Sequence, residues 1–429
     1  MADNRSPVWH PFTQHGLGEP IPKIEQARGA LLHCADGRTL IDGISSWWVI
    51  THGHCEPRIV TAIQEQAALL DQVIFAGYTH GPAEQVAQGL IRFTDQELRS
   101  PDPLTHVFYS DSGSTAVEVG LKMALGYWHH IGQPRHRIVV MEHSYHGDTI
   151  GAMSVGERGV FNQAYAPLLF DVVKIPFPAA GAEQETLDAL EAACSAPDTP
   201  AAFIVEPLIL GAGGMLTYDA ALLRTMAEIC GVHDVLLIAD EVMTGWGRTG
   251  TAFACTQAGI TPDILCMAKG LTGGAVPLAA TLSRARIFDA HMSQDRAKMF
   301  FHSSSFTANP VACAAAAANI AIWESESVPA RIDALSNHMA ERLDALSDHP
   351  ALENPRHIGA IAAIDLKVPQ GAGYLSDVAP ALRAFFLDEG LLLRPLGNTI
   401  YVMPPYCTSG AQIESLFDAI GEAADQYIR

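Results

Sequence analysis

Little in this chain would tie it to nucleic acid or to a membrane. Lysine and arginine number only 26 against 47 aspartates and glutamates, for a formal charge of −21 over 429 residues. No basic run breaks that balance. Phosphate backbones are gripped by Lys and Arg that release counterions, so nucleic acid is not an expected partner. No run reaches the roughly 18–20 apolar residues that a membrane helix needs. The nearest, VACAAAAANIAIW, is too short and carries Asn319. The opening MADNRSPVWHPFTQ is polar and lacks the apolar centre of a secretory signal, so a cytoplasmic protein is expected. Cys-x-x-Cys pairs are also missing. Cys34, Cys55, Cys194, Cys230, Cys255, Cys266, Cys313 and Cys407 are scattered. They read as reduced thiols in apolar surroundings, not as a disulfide frame or a zinc site, and no metal is expected.

What is abundant is apolar. Hydrophobic residues make up 48% of the chain and charged ones 17%, ample for a large core. The middle of the chain alternates short apolar runs with helix-like stretches. The runs are LTHVFYS (104–110), RIVVMEH (137–143), AAFIVEP (201–207), VLLIADE (235–241), ILCMAKG (264–270) and LAATLS (278–283). Continuous apolar runs without polar alternation indicate a parallel sheet covered by helices on both faces, hence an α/β fold. The ends differ. Residues 1–55 hold short strand-like pieces around ALLHCADGRTLIDG. Residues 326–429 hold two long helices and the short strands LLLRPL and TIYVMP. A large domain over 56–325 is therefore expected, with a smaller α+β domain assembled from both termini.

Open parallel sheets bind ligands at the C-terminal edges of their strands, so the residues just past each strand carry the chemistry. The first run ends in Asp111-Ser112-Gly113-Ser114-Thr115 and opens a helix. Thr115 and Glu118 have capping-box spacing. A helix N-terminus with small residues can cradle a phosphate, although an ordinary cap is the commoner use of such a motif. Tyr145, past the second run, could stack on a planar ligand or simply pack. The cluster Gly211-Ala212-Gly213-Gly214 invites a dinucleotide reading, but Leu216 breaks Gly-x-Gly-x-x-Gly and no helix follows. His52 and His54 read as turn structure, Asn309-Pro310 as a helix cap and first position, and Arg248 as either a catalytic residue or a loop holder.

The decisive pair is Asp240 and Lys269. Each stands near the end of an apolar run, one strand–helix–strand crossover apart. A salt bridge would explain them, but a lysine flanked by Ala268 and Gly270 in an apolar tail also suits deprotonation and carbonyl chemistry. Pyridoxal phosphate would use every part at once: a lysine for its aldehyde, a helix N-terminus for its phosphate, an aromatic for its ring and an aspartate for its pyridinium nitrogen.

The set SDSGSTAVEVGLKMA, SYHGDTIGAMSV, LLIADEVMTGWGRTG, PDILCMAKGLTGG and FHSSSFTANPVACAAA, in this order over nearly the whole chain, resembles the class III branch of the fold-type-I pyridoxal phosphate aminotransferases. WHPFTQ, IDGISSWWVITHGH, IFAGYTH, LLLRPLG and TIYVMPPY resemble the members of that branch that aminate 8-amino-7-oxononanoate to 7,8-diaminononanoate for biotin. The resemblance implies a mostly parallel seven-stranded sheet and a homodimer with shared active sites. It implies Lys269 as the lysine bonded to the cofactor and Asp240 on the ring nitrogen, with Val242 and Tyr145 on the two ring faces. Ser112, Gly113 and Ser114 would hold the phosphate, and Ser305 would reach the partner subunit's phosphate with a hydroxyl where the family has threonine. Trp47, Phe12 and Arg394 would bind substrate, the arginine taking its carboxylate. A substrate-binding glycine is also sought at position 304, and its equivalent in this chain is left unassigned. Glu241 would be a structural neighbour. Phe12 departs from the tyrosine usual in members that use S-adenosylmethionine as amino donor. Members that take lysine, and amine–pyruvate aminotransferases, can carry phenylalanine there, so those two readings stay open.

Overall fold

The computed structural model describes residues 6–368 and 373–428. The residues MADNR, read above as part of a polar N-terminus, lie outside it. A seven-stranded sheet organises the middle of the chain. Its spatial order is Leu104–Ser110, Ala279–Arg284, Ile264–Met267, Leu236–Asp240, Ala202–Val205, Ile138–Met141 and Val173–Ile175. Ala279–Arg284 runs antiparallel to both of its neighbours, and the remaining pairs are parallel.

The apolar runs have a direct consequence in packing. Leu236 and Ile238 enter one buried cluster, while Leu237 and Ala239 enter another. Successive side chains point to opposite faces of a strand, so a run buried at every position needs cover on both sides. The Gly113–His130 helix gives one face its cover, burying Ala116, Val117, Val119, Leu121 and Ala124. Both ends of the chain meet in a four-stranded sheet of Ile24–Arg28, Leu31–Cys34, Thr39–Asp42 and Leu391–Leu392. A three-stranded sheet follows, from Leu352–Ile358, Ile361–Leu366 and Thr399–Val402. Among the described residues, no helix is long and apolar enough to cross a membrane.

Three local expectations need correction. The helix after the first strand is capped by Ser112, not Thr115: the Ser112 hydroxyl accepts from the Thr115 amide at 3.3 Å, and Thr115 Oγ1 accepts from the Ser112 amide at 2.9 Å. Glu118 instead reaches across to the next loop, where its Oε1 accepts from the Thr149 hydroxyl at 2.6 Å and the Gly151 amide at 2.8 Å. The crossover between Asp240 and Lys269 holds only a five-residue helix, Ala254–Ala258, and is otherwise turns. The edge strand Val173–Ile175 was not expected, because three residues with an exposed lysine in the middle give almost no pattern.

Candidate active site

Asp240 is the last residue of its strand, and Lys269 lies two residues past the end of the adjacent one, so the sheet brings both to one edge. There they line a cavity of about 530 Å³ together with Phe12, Trp47, Ser112, Gly113, Ser114, Tyr145, Val242 and Arg394. Ser305 is not among its lining residues; it is exposed on a loop, where its carbonyl accepts from Gln72 Nε2 at 2.6 Å.

At position 304, where the resemblance left the substrate-binding glycine unassigned, the chain carries a serine. The residue there is Ser304, and it does not line the cavity. Its hydroxyl donates to the Asp111 carboxylate and accepts from the Phe306 amide at 3.0 Å, while its own amide donates to Thr307 Oγ1 at 2.9 Å. A side chain engaged on both sides in this way holds the loop before the Pro310–Ser325 helix against the Asp111 loop. Position 304 is therefore a loop anchor in this chain, not a glycine that opens space for substrate.

Lys269 begins a single 3-10 turn with φ of 46°, a left-handed backbone that an L-residue adopts only under restraint. Asn319 provides restraint from behind. Its side-chain amide donates to the Gly270 carbonyl at 3.1 Å and the Leu271 carbonyl at 3.0 Å, while its oxygen takes His52 Nε2 at 2.8 Å. Because both amide hydrogens are spent on carbonyls, His52 must donate from Nε2. Burial keeps that ring neutral, lowering its pKa to about 4. His52 is thus a structural residue, as expected of it.

Burial also depresses the Lys269 ammonium, to a pKa of about 8, against the attraction of Asp240 and Glu206. The amine therefore holds its proton below about pH 8 and loses it above. In the cofactor-free protein, the rate at which Lys269 condenses with a simple aldehyde should climb through about pH 8. A titration near the ordinary lysine value of 10.5 would contradict the burial argument.

Asp240 is held by its neighbours. Its Oδ1 accepts from the Val242 amide at 3.1 Å, and its Oδ2 pairs with His146 Nδ1 at 2.7 Å. Burial opposes charging His146, but the hydrogen bond and charge of Asp240 outweigh it and raise the pKa. Glu206 lies behind them, pushed up to about 7 by burial against the pull of His146. It accepts from the Tyr145 amide at 2.9 Å and the Gly211 amide at 3.2 Å, which fixes the loop carrying Tyr145. His146 and Glu206 were not singled out in the sequence. The signal was there in part, since His146 directly follows Tyr145 and Glu206 directly follows the strand Ala202–Val205.

The helix N-terminus at Gly113 closes this end of the cavity. A Cβ on Gly113 would sit 2.6 Å from Val242 Cγ1, so only glycine lets the chain come this close. First-turn amides have no partner inside their own helix and favour an anion. Gly147, at φ of 127°, lets the next loop fold onto Ser114, whose hydroxyl accepts the Asp148 amide at 3.1 Å. At the other end Arg394 lies 5.3 Å from the Trp47 ring and donates to the Phe12 carbonyl at 2.9 Å. Phe12 packs edge-on against Trp47 at 5.4 Å.

The remaining candidates serve the scaffold. Buried Arg248 donates to the carbonyls of Pro404 at 3.1 Å and Ile50 at 2.7 Å, so it holds loops together. Asn309 caps the Pro310–Ser325 helix through the Ala312 amide at 3.0 Å. Glu241, fully buried, accepts from Thr244 Oγ1 at 2.5 Å and the Cys255 amide at 2.8 Å. The Gly211–Gly214 cluster joins the two short strands of a hairpin, Ile209–Leu210 and Leu216–Thr217, and starts no helix.

This site invites comparison with known proteins. The family described as Aminotransferase class-III matches residues 14–424. An adenosylmethionine-8-amino-7-oxononanoate aminotransferase from Synechococcus elongatus is 46% identical over 98% of this chain and 98% of its own. The crystal structure of an enzyme of the same name from Methanocaldococcus jannaschii superposes with a TM-score of 0.92 at 32% identity, over 98% of this chain and 97% of the other. An amine transaminase from an uncultivated Pseudomonas species, solved in a PLP-bound form, gives a TM-score of 0.91 at 30% identity over 98% and 99% of the two chains. With a match spanning nearly its whole length, the chain belongs to the class-III aminotransferase family.

Proposed function

We propose that this aminotransferase uses pyridoxal phosphate to move an amino group from S-adenosylmethionine to the ketone of 8-amino-7-oxononanoate. The observation that carries the reading is one cavity lined both by a buried amine, Lys269, and by a cation, Arg394, set against the Trp47 ring. The relatives' names give the acceptor and donor.

The residues present fit the cofactor. Lys269 Nζ would bond its aldehyde carbon, Asp240 would accept its ring N–H, and Tyr145 and Val242 would cover its two faces. The amides of Gly113 and Ser114 would take the phosphate, on a helix end held by Ser112. When bound, the cofactor supplies an electron sink for the substrate carbon that loses its proton. The protein's own part is proton handling and orientation. Lys269 Nζ, a free base above about pH 8, would take the proton from that carbon and return it two bonds away, beyond the intervening nitrogen. Asp240 is oriented at the cavity by His146 on its Oδ2 and the Val242 amide on its Oδ1. Ser305 is assigned to the phosphate of a partner subunit, which makes the working unit a homodimer. A large unit over 56–325 and a small one from both termini frame the cavity.

Arg394 is the acceptor's anchor in this account. Its planar fork suits a carboxylate, and among the described residues it pairs with none. Arg394→Ala should raise KM for 8-amino-7-oxononanoate by a factor worth roughly 2–5 kcal/mol, the usual loss for truncating a desolvated charge pair. Neutral amines without a carboxylate should react as before. A uniform loss over both kinds of substrate, with a lower Tm, would mean that Arg394 only supports the fold.

A second reading is favoured by Phe12, which removes a hydroxyl from the substrate wall: an amine–pyruvate aminotransferase, or the same reaction with lysine as donor. Turnover of 8-amino-7-oxononanoate against pyruvate, each with S-adenosylmethionine, lysine and a simple amine, separates the three. The proposal predicts preference for 8-amino-7-oxononanoate with S-adenosylmethionine, and faster turnover of pyruvate would overturn it.

A further inference from the structure

Both tryptophans of the cavity wall stand on one strained turn. Ser45, Ser46, Trp47 and Trp48 have φ of 52°, 47°, 79° and 71° in succession, and none is glycine. Left-handed backbone is unfavourable for an L-residue, so four together persist only where the surroundings dictate the conformation. The right-handed alternative would turn both indoles away from where they now point.

Most of the restraint comes from one carboxylate. Asp42 ends the strand Thr39–Asp42 and is wholly buried. Its Oδ1 accepts the Ser46 amide at 2.8 Å and the Ile44 amide at 3.3 Å, and its Oδ2 accepts the Ser46 hydroxyl at 2.8 Å and His54 Nε2 at 2.8 Å. Ser45 adds a bond from its hydroxyl to the Met403 carbonyl at 2.8 Å. Ser46 Oγ also lies 3.3 Å from His54 Nε2. That trio resembles a nucleophilic triad, but both partners use the same ring nitrogen, whereas a relay needs one on each. A hydrolytic role is excluded, and anchoring remains.

The turn has two outputs. Trp48 is buried, donates from Nε1 to the Tyr401 hydroxyl at 3.0 Å and lies 4.6 Å under Lys269 Nζ. Trp47 is 39% exposed, and among the described residues its side chain makes no hydrogen bond; Phe12 and Arg394 lie against its ring. Trp48 has its own anchor and Trp47 does not, so loosening the turn should displace Trp47 first.

We propose that Asp42 is a positioning residue for acceptor specificity, acting through Trp47: its carboxylate locks the turn left-handed and so presents the indole to Arg394 and the acceptor. This rests on the cavity being the aminotransfer site.

A double-mutant cycle tests it. Asp42→Ala should raise KM for 8-amino-7-oxononanoate about tenfold with kcat changed less than about threefold, and should add less than about twofold in a Trp47→Ala background, because residues acting as one unit are not additive. The same tenfold rise in both backgrounds, or an unchanged KM in the soluble variant, overturns the proposal. If Asp42→Ala does not fold, Ser46→Ala removes only the hydroxyl arm of the clamp. It should raise KM a few-fold, again only when Trp47 is present, and no rise overturns the idea. The near-UV circular dichroism of Trp47, taken as wild type minus Trp47→Ala, needs no acceptor. Its collapse in Asp42→Ala, or in Ser46→Ala, supports the clamp, and its persistence overturns it, even should the wild type bind cofactor at Lys269 and yet turn over a different acceptor.

Discussion

Lys269→Ala should abolish transamination, with a loss of several orders of magnitude, while the variant still folds and still binds pyridoxal phosphate. Nucleophile and proton carrier leave together in this substitution, which is why the expected loss exceeds that from any other single change. The geometry supports a fully committed lysine. Its backbone is held left-handed by the Asn319 contacts to Gly270 and Leu271, and its amine is buried at a pKa of about 8. Cofactor binding should survive because the phosphate site at Gly113 and Ser114 and the carboxylate of Asp240 are separate from it in the chain. The checks are turnover with 8-amino-7-oxononanoate and equilibrium binding of pyridoxal phosphate. Residual activity within about tenfold of wild type would mean that another group moves the proton.

Asp240→Asn should leave the fold and much of the cofactor affinity intact but remove most turnover. The amide is isosteric: its oxygen still accepts from the Val242 amide, and its NH2 can donate to the Nδ1 of a neutral His146. A neutral amide, however, cannot hold the proton of a pyridinium nitrogen, and without that proton the ring withdraws electrons weakly. The variant has a second consequence that a simple salt bridge would not predict. The raised pKa of His146 depends on Asp240, so in Asp240→Asn it should fall and the buried ring should become neutral near pH 7. Nuclear magnetic resonance of the His146 ring would follow this. Near-normal turnover, with His146 unchanged, would reduce Asp240 to a strand-end partner.

How far these roles could be read from the sequence depended on how local their causes are. Asp240 and Lys269 were legible because each terminates a run of apolar residues, and parallel strands align their ends without further information. The strand limits came out within a few residues for the same reason. The pairing of His146 with Asp240 was not legible: the two are 94 residues apart, and the strand Ala202–Val205 stands between their strands, so the loop carrying His146 has to cross it. Asn319 was hidden in an alanine-rich helix, where it looked like a break in a membrane-like run, not a clamp on the Lys269 turn. Ser304 was equally opaque, because its partner Asp111 lies 193 residues away and nothing in the run of three serines marks the middle one as an anchor. The cap of the Gly113–His130 helix was misplaced because Ser112–Thr115 and Thr115–Glu118 have equal spacing, and only tertiary contact sends Glu118 elsewhere. The left-handed turn at Ser45–Trp48 carries no glycine or asparagine to announce it. Its cause is the buried carboxylate of Asp42 clamping Ser46 four residues on, and nothing in the sequence marks that aspartate as buried.

The central claim is that Lys269 is the residue bonded to the cofactor. The most direct measurement is to load the purified protein with pyridoxal phosphate, reduce it with borohydride, digest it and locate the modified peptide by tandem mass spectrometry. The account predicts a single phosphopyridoxyl group on the peptide containing MAKGLTGG, at Lys269, with the other lysines unmodified. Recovery of the group on a different lysine, or no covalent adduct after the cofactor has bound, would contradict it.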